Sequence, residues 1–421
     1  MEIINELVSK IKLLVCGKRS SQRKVMQLPL SFVGAAVIAI LVQFYDPLHI
    51  GPLGGLPFRP HKQRVAPLKE VLRSWPKDAA NQLRHAKEEF KDQVFGPESL
   101  AFDGHGRGPY TGLADGRVVR WMGEHIGWET FAVPSDKWNR VDCNQGKDKK
   151  LREKNEHICG RPLGLRFEKK TGNLYIADSY YGLLVVGPEG GIAKPVVNEV
   201  GGQPILFAND LDIHETGYIF FTDTSTRWNR RLHQMAIIEG ENTGRLLRYD
   251  PSTNSTTVVL QGLHFANGVQ LSADQSFLLV VETAPCRILR YWLEGSAAGS
   301  VEVFAELPGY PDNVRMNSEG QFWVAIDCCR TYSQEFLSRN PFLKNVLFRL
   351  PLPYSLIIRA ISQKMYSVIA LFDATGKLLK TMEDKEGEAV KLVSEVQEKD
   401  GKIWLATVFH NHISTLPYKL D

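Results

Sequence analysis

The residues best suited to chemistry stand in a short turn written twice, Phe207-Ala208-Asn209-Asp210-Leu211 and Phe265-Ala266-Asn267-Gly268-Val269, with a variant at Pro311-Asp312-Asn313-Val314. Each copy is followed by alternating residues, a glycine-containing turn and a second apolar run, so the unit reads strand, turn, strand. The unit recurs at Gly96-Pro97-Glu98-Ser99, at Arg161-Pro162-Leu163-Gly164 and at Val393-Ser394-Glu395-Val396. Positions 98, 163, 209, 267, 312 and 394 are therefore equivalent. Their separations of 65, 46, 58, 45 and 82 residues suit four-stranded blades of about 40 to 50 residues with insertions. The expected fold is all-β, a six-bladed β-propeller.

In a propeller the first strand of every blade begins beside the central channel, which brings equivalent residues together from distant points of the chain. Glu98, Asn209, Asn267, Asp312 and the neighbouring Asn313 then form a set of two carboxylates and three amide carbonyls without His or Cys. Hard oxygen donors of this kind suit Ca²⁺ rather than zinc. The competing reading has Asn and Asp at strand starts making side-chain turns to their own backbone. Five such residues at repeat-equivalent positions favour the metal. Ca²⁺ takes roughly six to eight ligands, which leaves room for a water and a substrate oxygen. The chemistry expected is hydrolysis, with the metal polarising a carbonyl or phosphoryl oxygen while Asp312 or Glu98 takes a proton from the attacking water. The sequence contains no Gly-x-Ser-x-Gly elbow, so a covalent serine route has no support.

The elements that position this set begin after residue 90. Residues 1–27 read as a basic cytosolic tail, 28–46 as a membrane anchor, 47–90 as a linker with a short helix, and 91–421 as the propeller. Leu28 to Tyr45 is 18 residues without a charge, about the length a bilayer core requires. Lys10, Lys12, Lys18, Arg19, Arg23 and Lys24 precede it, against Arg59, Lys62 and Arg64 close behind. That bias places the amino terminus in the cytosol and the propeller in the lumen, a single-pass type II arrangement. A cleaved signal peptide is the alternative, but no Ala-x-Ala-like site follows the apolar stretch. Asp78 to Phe90 carries a helix-compatible pattern.

A hydrophobic share of 43% against 23% charged residues provides for a large core. The net charge of +4 comes from the amino-terminal tail, and no basic stripe interleaved with aromatics is present, which excludes nucleic acid as a partner. Oligomeric state is left open. Cys143 and Cys159 bracket the charged run Lys147 to Lys154; a disulfide between them would close a floppy loop and stabilise the fold by about 3 kcal/mol, the alternative being two free thiols. Cys286, Cys328 and Cys329 lie on the same side of the span. Asn254-Ser255-Thr256 is a glycosylation acceptor at an expected outer-strand turn. Two insertions, Arg227 to Glu239 and Phe336 to Tyr366, combine apolar and basic residues. They either pack outside the propeller or roof the channel mouth and admit a small, apolar or aromatic substrate.

Gly96-Pro-Glu-Ser, Asp115-Gly-Arg-Val, Cys159-Gly-Arg-Pro-Leu-Gly-Leu, Phe207-Ala-Asn, Gly309-Tyr-Pro-Asp-Asn and Asp400-Gly-Lys-Ile-Trp together resemble the strictosidine synthase-like family over residues 90–421. The resemblance implies a six-bladed propeller related to paraoxonases and gluconolactonase-type lactonases, in the endoplasmic reticulum or vacuole. It matches Glu98, Asn209, Asn267, Asp312 and Asn313 to the catalytic calcium ligands of the paraoxonase-like enzymes. Two functional residues do not carry over. The glutamate base of strictosidine synthase is replaced by Ser394, with Glu395 beside it on the opposite strand face, and the paraoxonase histidine base by Leu163. Asp312 is then the best candidate base, by resemblance to the gluconolactonase type, with His264 and His410 in reserve. Leu163, His264, Ser394 and His410 are expected around the substrate pocket. The leading expectation is a calcium-dependent hydrolase of esters, lactones or related molecules. A condensing enzyme of strictosidine-synthase type and a non-catalytic calcium-binding propeller that holds a partner or lipid are the alternatives.

Overall fold

Runs such as Phe277–Glu282 and Phe322–Cys328 are buried along almost their whole length, because the second strand of a propeller blade is covered on both faces by its neighbours. The computed structural model describes residues 53–143 and 149–418 together with Gly34 and Val37. The expected basic tail and membrane anchor thus lie outside the described residues, among which no helix is long and apolar enough to cross a membrane. Residues from His49 onward form one compact unit.

Six antiparallel four-stranded sheets follow one another around that unit. Blade one runs Leu100–Ala101, Tyr110–Gly112, Val118–Trp121 and Trp128–Val133, with the short strand Gly191–Ile192 added in parallel at its edge. Blade two runs Pro162–Phe167, Leu174–Asp178, Gly182–Val186 and Lys194–Val197. Blade three comprises Ala208–Ile213, Ile219–Asp223, Gly244–Asp250 and Ser255–Leu263; blade four, Ala266–Leu271, Phe277–Glu282, Arg287–Trp292 and Val301–Glu306. Blade five comprises Tyr310–Met316, Phe322–Cys328, Tyr366–Phe372 and Leu378–Asp384. The first strands of successive blades contact one another and form the inner ring. A hydrophobic cluster fills each gap between blades, for example Leu211, Phe221 and Leu247 of blade three with Tyr175 and Leu183 of blade two.

Blade six draws on both ends of the propeller. Glu395–Lys399, Lys402–Ala406 and Ile413–Pro417 are joined on the outside by Lys87–Glu89, which pairs antiparallel with Ile413–Pro417. The helix expected over Asp78 to Phe90 is therefore replaced by a 3₁₀ turn, Gln82–His85, and this closing strand. Helical spacing gave way because pairing with an open sheet edge satisfies a row of backbone groups that a short solvated helix leaves to water. A helix does form in the segment read as linker, at Leu68–Ser74.

Cys143 and Cys159 are bonded, with S–S 2.11 Å and Cα–Cα 5.4 Å. The charged run between them is not a bare loop, since Lys149–Cys159 is helical. Cys328 and Cys329 are also disulfide-bonded, and Cys286 is buried and free. Asn254 is exposed at the turn between the two outer strands of blade three, in the left-handed conformation at φ 50°.

The two insertions are roof elements. A 3₁₀ turn, Arg230–Leu232, and the helix His233–Glu239 extend blade three, while helices Tyr332–Arg339, Pro341–Arg349 and Tyr354–Ile361 extend blade five. Their apolar faces share one cluster with Leu53 and Phe58 from the amino-terminal side and with Leu163, Phe207 and Phe265 from the channel mouth. Of the two readings left open by the sequence, packing over the channel is the one adopted.

Candidate metal and substrate site

The register of blades three, four and five slips at the same place, between Ala208 and Leu211, Ala266 and Val269, and Pro311 and Val314. Blade two slips between Pro162 and Gly164. In each of blades three to five, two residues of the first strand oppose one of the second, a bulge that re-aims side chains beside the channel. The bulges are why Asn209, Asn267 and Asp312 reach a common space. Inner strands also approach closely here. A Cβ on Gly268 would stand 2.7 Å from Asn313 Cα, and one on Gly164 2.7 Å from Asp210 Cα, so only glycine fits these positions.

The amides are held in one orientation. Asn209 Nδ2 donates to Thr224 Oγ1 at 3.1 Å, and that hydroxyl donates to the Ala266 carbonyl at 2.7 Å. One blade on, Asn267 Nδ2 donates to Thr283 Oγ1 at 3.0 Å, which donates to the Pro311 carbonyl at 2.7 Å. Each threonine has spent its proton on a carbonyl and can only accept from the amide. The asparagine oxygens must therefore point the other way. Asn209 Oδ1, Asn267 Oδ1, Asn313 Oδ1 and Glu98 Oε2 are all buried without a hydrogen-bond partner among the described residues. Buried polar atoms are normally paired, so three orphaned oxygens at repeat-equivalent positions, with that of the neighbouring Asn313, call for an electrophile.

Glu98, Asn209, Asn267, Asp312 and Leu163 line one cavity of about 360 Å³, covered by Phe207, Phe265, Ile237, Phe348 and Ile358. Asp312 accepts hydrogen bonds from the side chains of Asn267 and Ser394. Burial in the channel raises its pKa to about 7 despite these bonds. Burial, and then the charge of Asp312, raise Glu98 to about 8, opposed by Arg161 and Arg230. Two carboxyl groups that resist ionisation together are what a bound dication would relieve. Among the described residues no group of three or more His, Cys, Asp or Glu is arranged for a metal. The donor set here is instead two carboxylates completed by amides, a composition that fits Ca²⁺.

Sequence reasoning missed Asp327, which lines the same cavity. Burial, and then the charge of Asp312, hold its carboxyl well above the usual range. The ends of the corresponding strands carry Asp178, Asp223 and Glu282, and these accept backbone N–H bonds from Arg161, Phe207 and His264. Asp327 Oδ1 accepts none among the described residues. An acid near the end of the second strand in blades two to five was the available signal; that Asp327 alone of these four leaves an oxygen without a partner among the described residues could not be read from sequence.

The other expected pocket residues divide. Leu163 lines the cavity. Ser394 is buried beneath it, where its Oγ accepts from the Val408 N–H at 3.2 Å and its carbonyl receives the Asn313 N–H at 2.9 Å. His264 does not line the cavity, because its Nδ1 is turned to the carbonyls of Gly240 and Glu241 at 3.0 and 3.1 Å. His410 lies in a neighbouring cavity with Arg161 and Asn411, stacked near His412. Glu395 is engaged elsewhere in the channel. Arg315 makes a bidentate pair with Asp210 at 2.7 and 2.9 Å and a short contact with Glu395. Glu395 also accepts from Ser99 Oγ and the Leu100 N–H, Ser99 Oγ from the Leu165 N–H, and Asp210 from the Val269 N–H. The triad thus bonds to blades one and three to six, and reaches blade two through Ser99 Oγ.

Family models match in two places, strictosidine synthase over residues 209–296 and strictosidine synthase-like, N-terminal, over residues 89–121. The chain is 36% identical to the adipocyte plasma membrane-associated protein of Salmo salar over 334 residues, 77% of this chain and 76% of the relative. The fold is shared with a gluconolactonase of Xanthomonas campestris (TM-score 0.52, 15% identity, 86% of this chain and 98% of the other). A calcium-binding regucalcin of Agrobacterium tumefaciens shares it too (TM-score 0.50, 13% identity, 79% and 95%). Strictosidine synthase-like protein 13 of Arabidopsis thaliana is 60% identical over 389 residues, 91% of this chain and 94% of the relative. With both proteins aligned over nearly their whole length at that identity, the chain belongs to the strictosidine synthase-like family.

Proposed function

We propose that the protein is a calcium-dependent hydrolase of esters, lactones or related small molecules, anchored by its amino-terminal segment with the propeller in the lumen of the endomembrane system. The observation that carries this reading is the group of four buried oxygens, on Glu98, Asn209, Asn267 and Asn313, that lack partners among the described residues. Gluconolactonase and regucalcin neighbours of the same fold support it. Glu98, Asn209, Asn267, Asp312 and Asn313 would hold the ion, which when bound supplies Lewis-acid polarisation of the substrate oxygen.

The chain's own residues do the rest. Thr224 and Thr283 fix the amides so that their oxygens need no reorganisation. Phe207, Phe265, Phe348 and Ile358 exclude water and hold an apolar acyl or aryl group. Asp312, with a pKa near neutrality, takes the proton of the attacking water. Asp327, whose carboxyl is held well above the usual range by burial and then by the charge of Asp312, lines the same cavity and is the candidate to return a proton to the leaving oxygen. The condensing alternative loses ground because Ser394 has no basic group and Glu395 is bound to Arg315.

Turnover of phenyl acetate and a δ-lactone by the full-length protein, with Ca²⁺ and then with a chelator, tests the function. Hydrolysis abolished by chelation and restored by Ca²⁺ is expected. A protein that binds Ca²⁺, is stabilised by it and hydrolyses neither would be a non-catalytic propeller. Protease protection in sealed microsomes tests the topology, with a digested tail, a protected propeller and a glycan on Asn254 expected.

A further inference from the structure

Lys344 belongs to the roof helix Pro341–Arg349 and is only 4% exposed, yet it lines the substrate cavity. Its backbone N–H bonds to the Asn340 carbonyl at 3.1 Å, while its ammonium makes no hydrogen bond or ion pair among the described residues. Glu239 is the acid whose charge reaches it, but Glu239 is already engaged by Arg227, by Trp228 Nε1 at 2.6 Å and by the Arg59 N–H. A second roof donor is in the same position. Gln63, 2% exposed, lines the same cavity, and its Nε2 has no acceptor among the described residues. An unpaired buried ammonium is costly. Two unmet donors in one pocket, which Arg230 and His233 also line, mark the place of an acceptor carrying negative charge.

We propose that Lys344 and Gln63 receive an anionic group of the substrate, so that the pocket takes esters or lactones of apolar acids bearing a second, free carboxylate away from the scissile carbonyl. This deepens the hydrolase reading and rests on it for the word substrate. The recognition itself is a matter of binding. Burial lowers the lysine toward about 8, which still leaves it charged at neutral pH. Phe348, Phe207 and Phe265 line the same cavity and would hold the apolar body of the acid.

The test is calorimetric binding of 4-phenylbutyrate and its neutral amide to the full-length protein, once with Ca²⁺ and once with chelator. A charge-assisted hydrogen bond in a dry site corresponds to about tenfold in affinity. Wild type should prefer the carboxylate by about that factor in both conditions. Lys344→Met should abolish the preference while leaving amide binding intact, and Lys344→Arg should retain it. No preference in wild type, or a preference that survives Lys344→Met, overturns the inference. A preference that disappears with Ca²⁺ removal would place the carboxylate on the ion and overturn it as well. Should Lys344→Met fail to fold, the wild-type comparison under chelation decides alone. Ester turnover is scored separately. Lysine-dependent binding without turnover would sink the hydrolase reading and leave this one standing.

Discussion

Asp312 and the asparagines around it show how a single atom's partners decide its role. Asp312 accepts from Asn267 and Ser394 yet remains open to the cavity, so an isosteric Asp312→Asn change separates charge from shape. Asparagine keeps one carbonyl oxygen for a cation but does not accept a proton at neutral pH. At saturating Ca²⁺ the hydrolytic rate of Asp312→Asn should fall by about 10² to 10⁴-fold with the fold intact, the usual contribution of a general base. Steady-state kinetics alongside circular dichroism check this. A variant restored to the wild-type rate by Ca²⁺ alone would remove Asp312 from the base role and bring Asp327 forward.

At the scale of elements, the bulged first strands and the threonines that end the second strands act as a unit. Thr224 and Thr283 never touch the cavity oxygens but orient the amides that carry them. Replacing either hydroxyl by a methyl, Thr224→Val or Thr283→Val, removes the acceptor that fixes the asparagine Nδ2, and at Asn267 leaves the bond to Asp312 as the remaining side-chain tether. Loss of such an outer partner typically lowers metal affinity by roughly 10- to 100-fold. Titration calorimetry with Ca²⁺ should show at least the lower end of that range for both variants. Unchanged affinity would mean that the threonines only tie blade to blade. The roof helices behave differently, since their apolar faces complete a cluster with the channel mouth. In the proposed reading they would act on substrate selection rather than on the ion.

The propeller is a ring closed twice, at its rim by the pairing of Lys87–Glu89 with Ile413–Pro417 and at its axis by Asp210, Arg315 and Glu395. Arg315→Met would leave two carboxylates buried and unpaired. Breaking a buried pair from one side costs about 3–5 kcal/mol, and urea unfolding should show a loss of that size. A change below about 1 kcal/mol would deny the triad its role. Proton linkage gives a second global property. Glu98 and Asp312 are raised to about 8 and about 7 in the folded protein. Between the ordinary carboxylate range and those values the folded chain holds more protons than the unfolded chain, so stability without metal declines as pH rises through that window. Ca²⁺ favours the ionised forms, so the Tm increment it produces should grow from about pH 5 to about pH 8. Scanning calorimetry with and without chelator measures it, and an increment independent of pH would detach these carboxyls from the ion.

The sequence alone determined the fold and which residues stand at its repeat-equivalent positions, because a propeller repeats its backbone. Gly96-Pro-Glu, Phe207-Ala-Asn, Phe265-Ala-Asn and Pro311-Asp-Asn could be aligned with one another before any coordinates existed. It also indicated the Cys143–Cys159 bond, since the two residues bracket a loop short enough to close. Tertiary structure decided whatever depends on contacts across blades. The strand Lys87–Glu89 is helical in pattern and becomes a strand only because Ile413–Pro417 presents an edge more than 300 residues away. His264 looked available but turned to Gly240 and Glu241, and Glu395 was taken by Arg315, which no local pattern reveals. Asp327 and Lys344 stand out only once their neighbours are known, because a group's lack of a partner is a property of the fold around it.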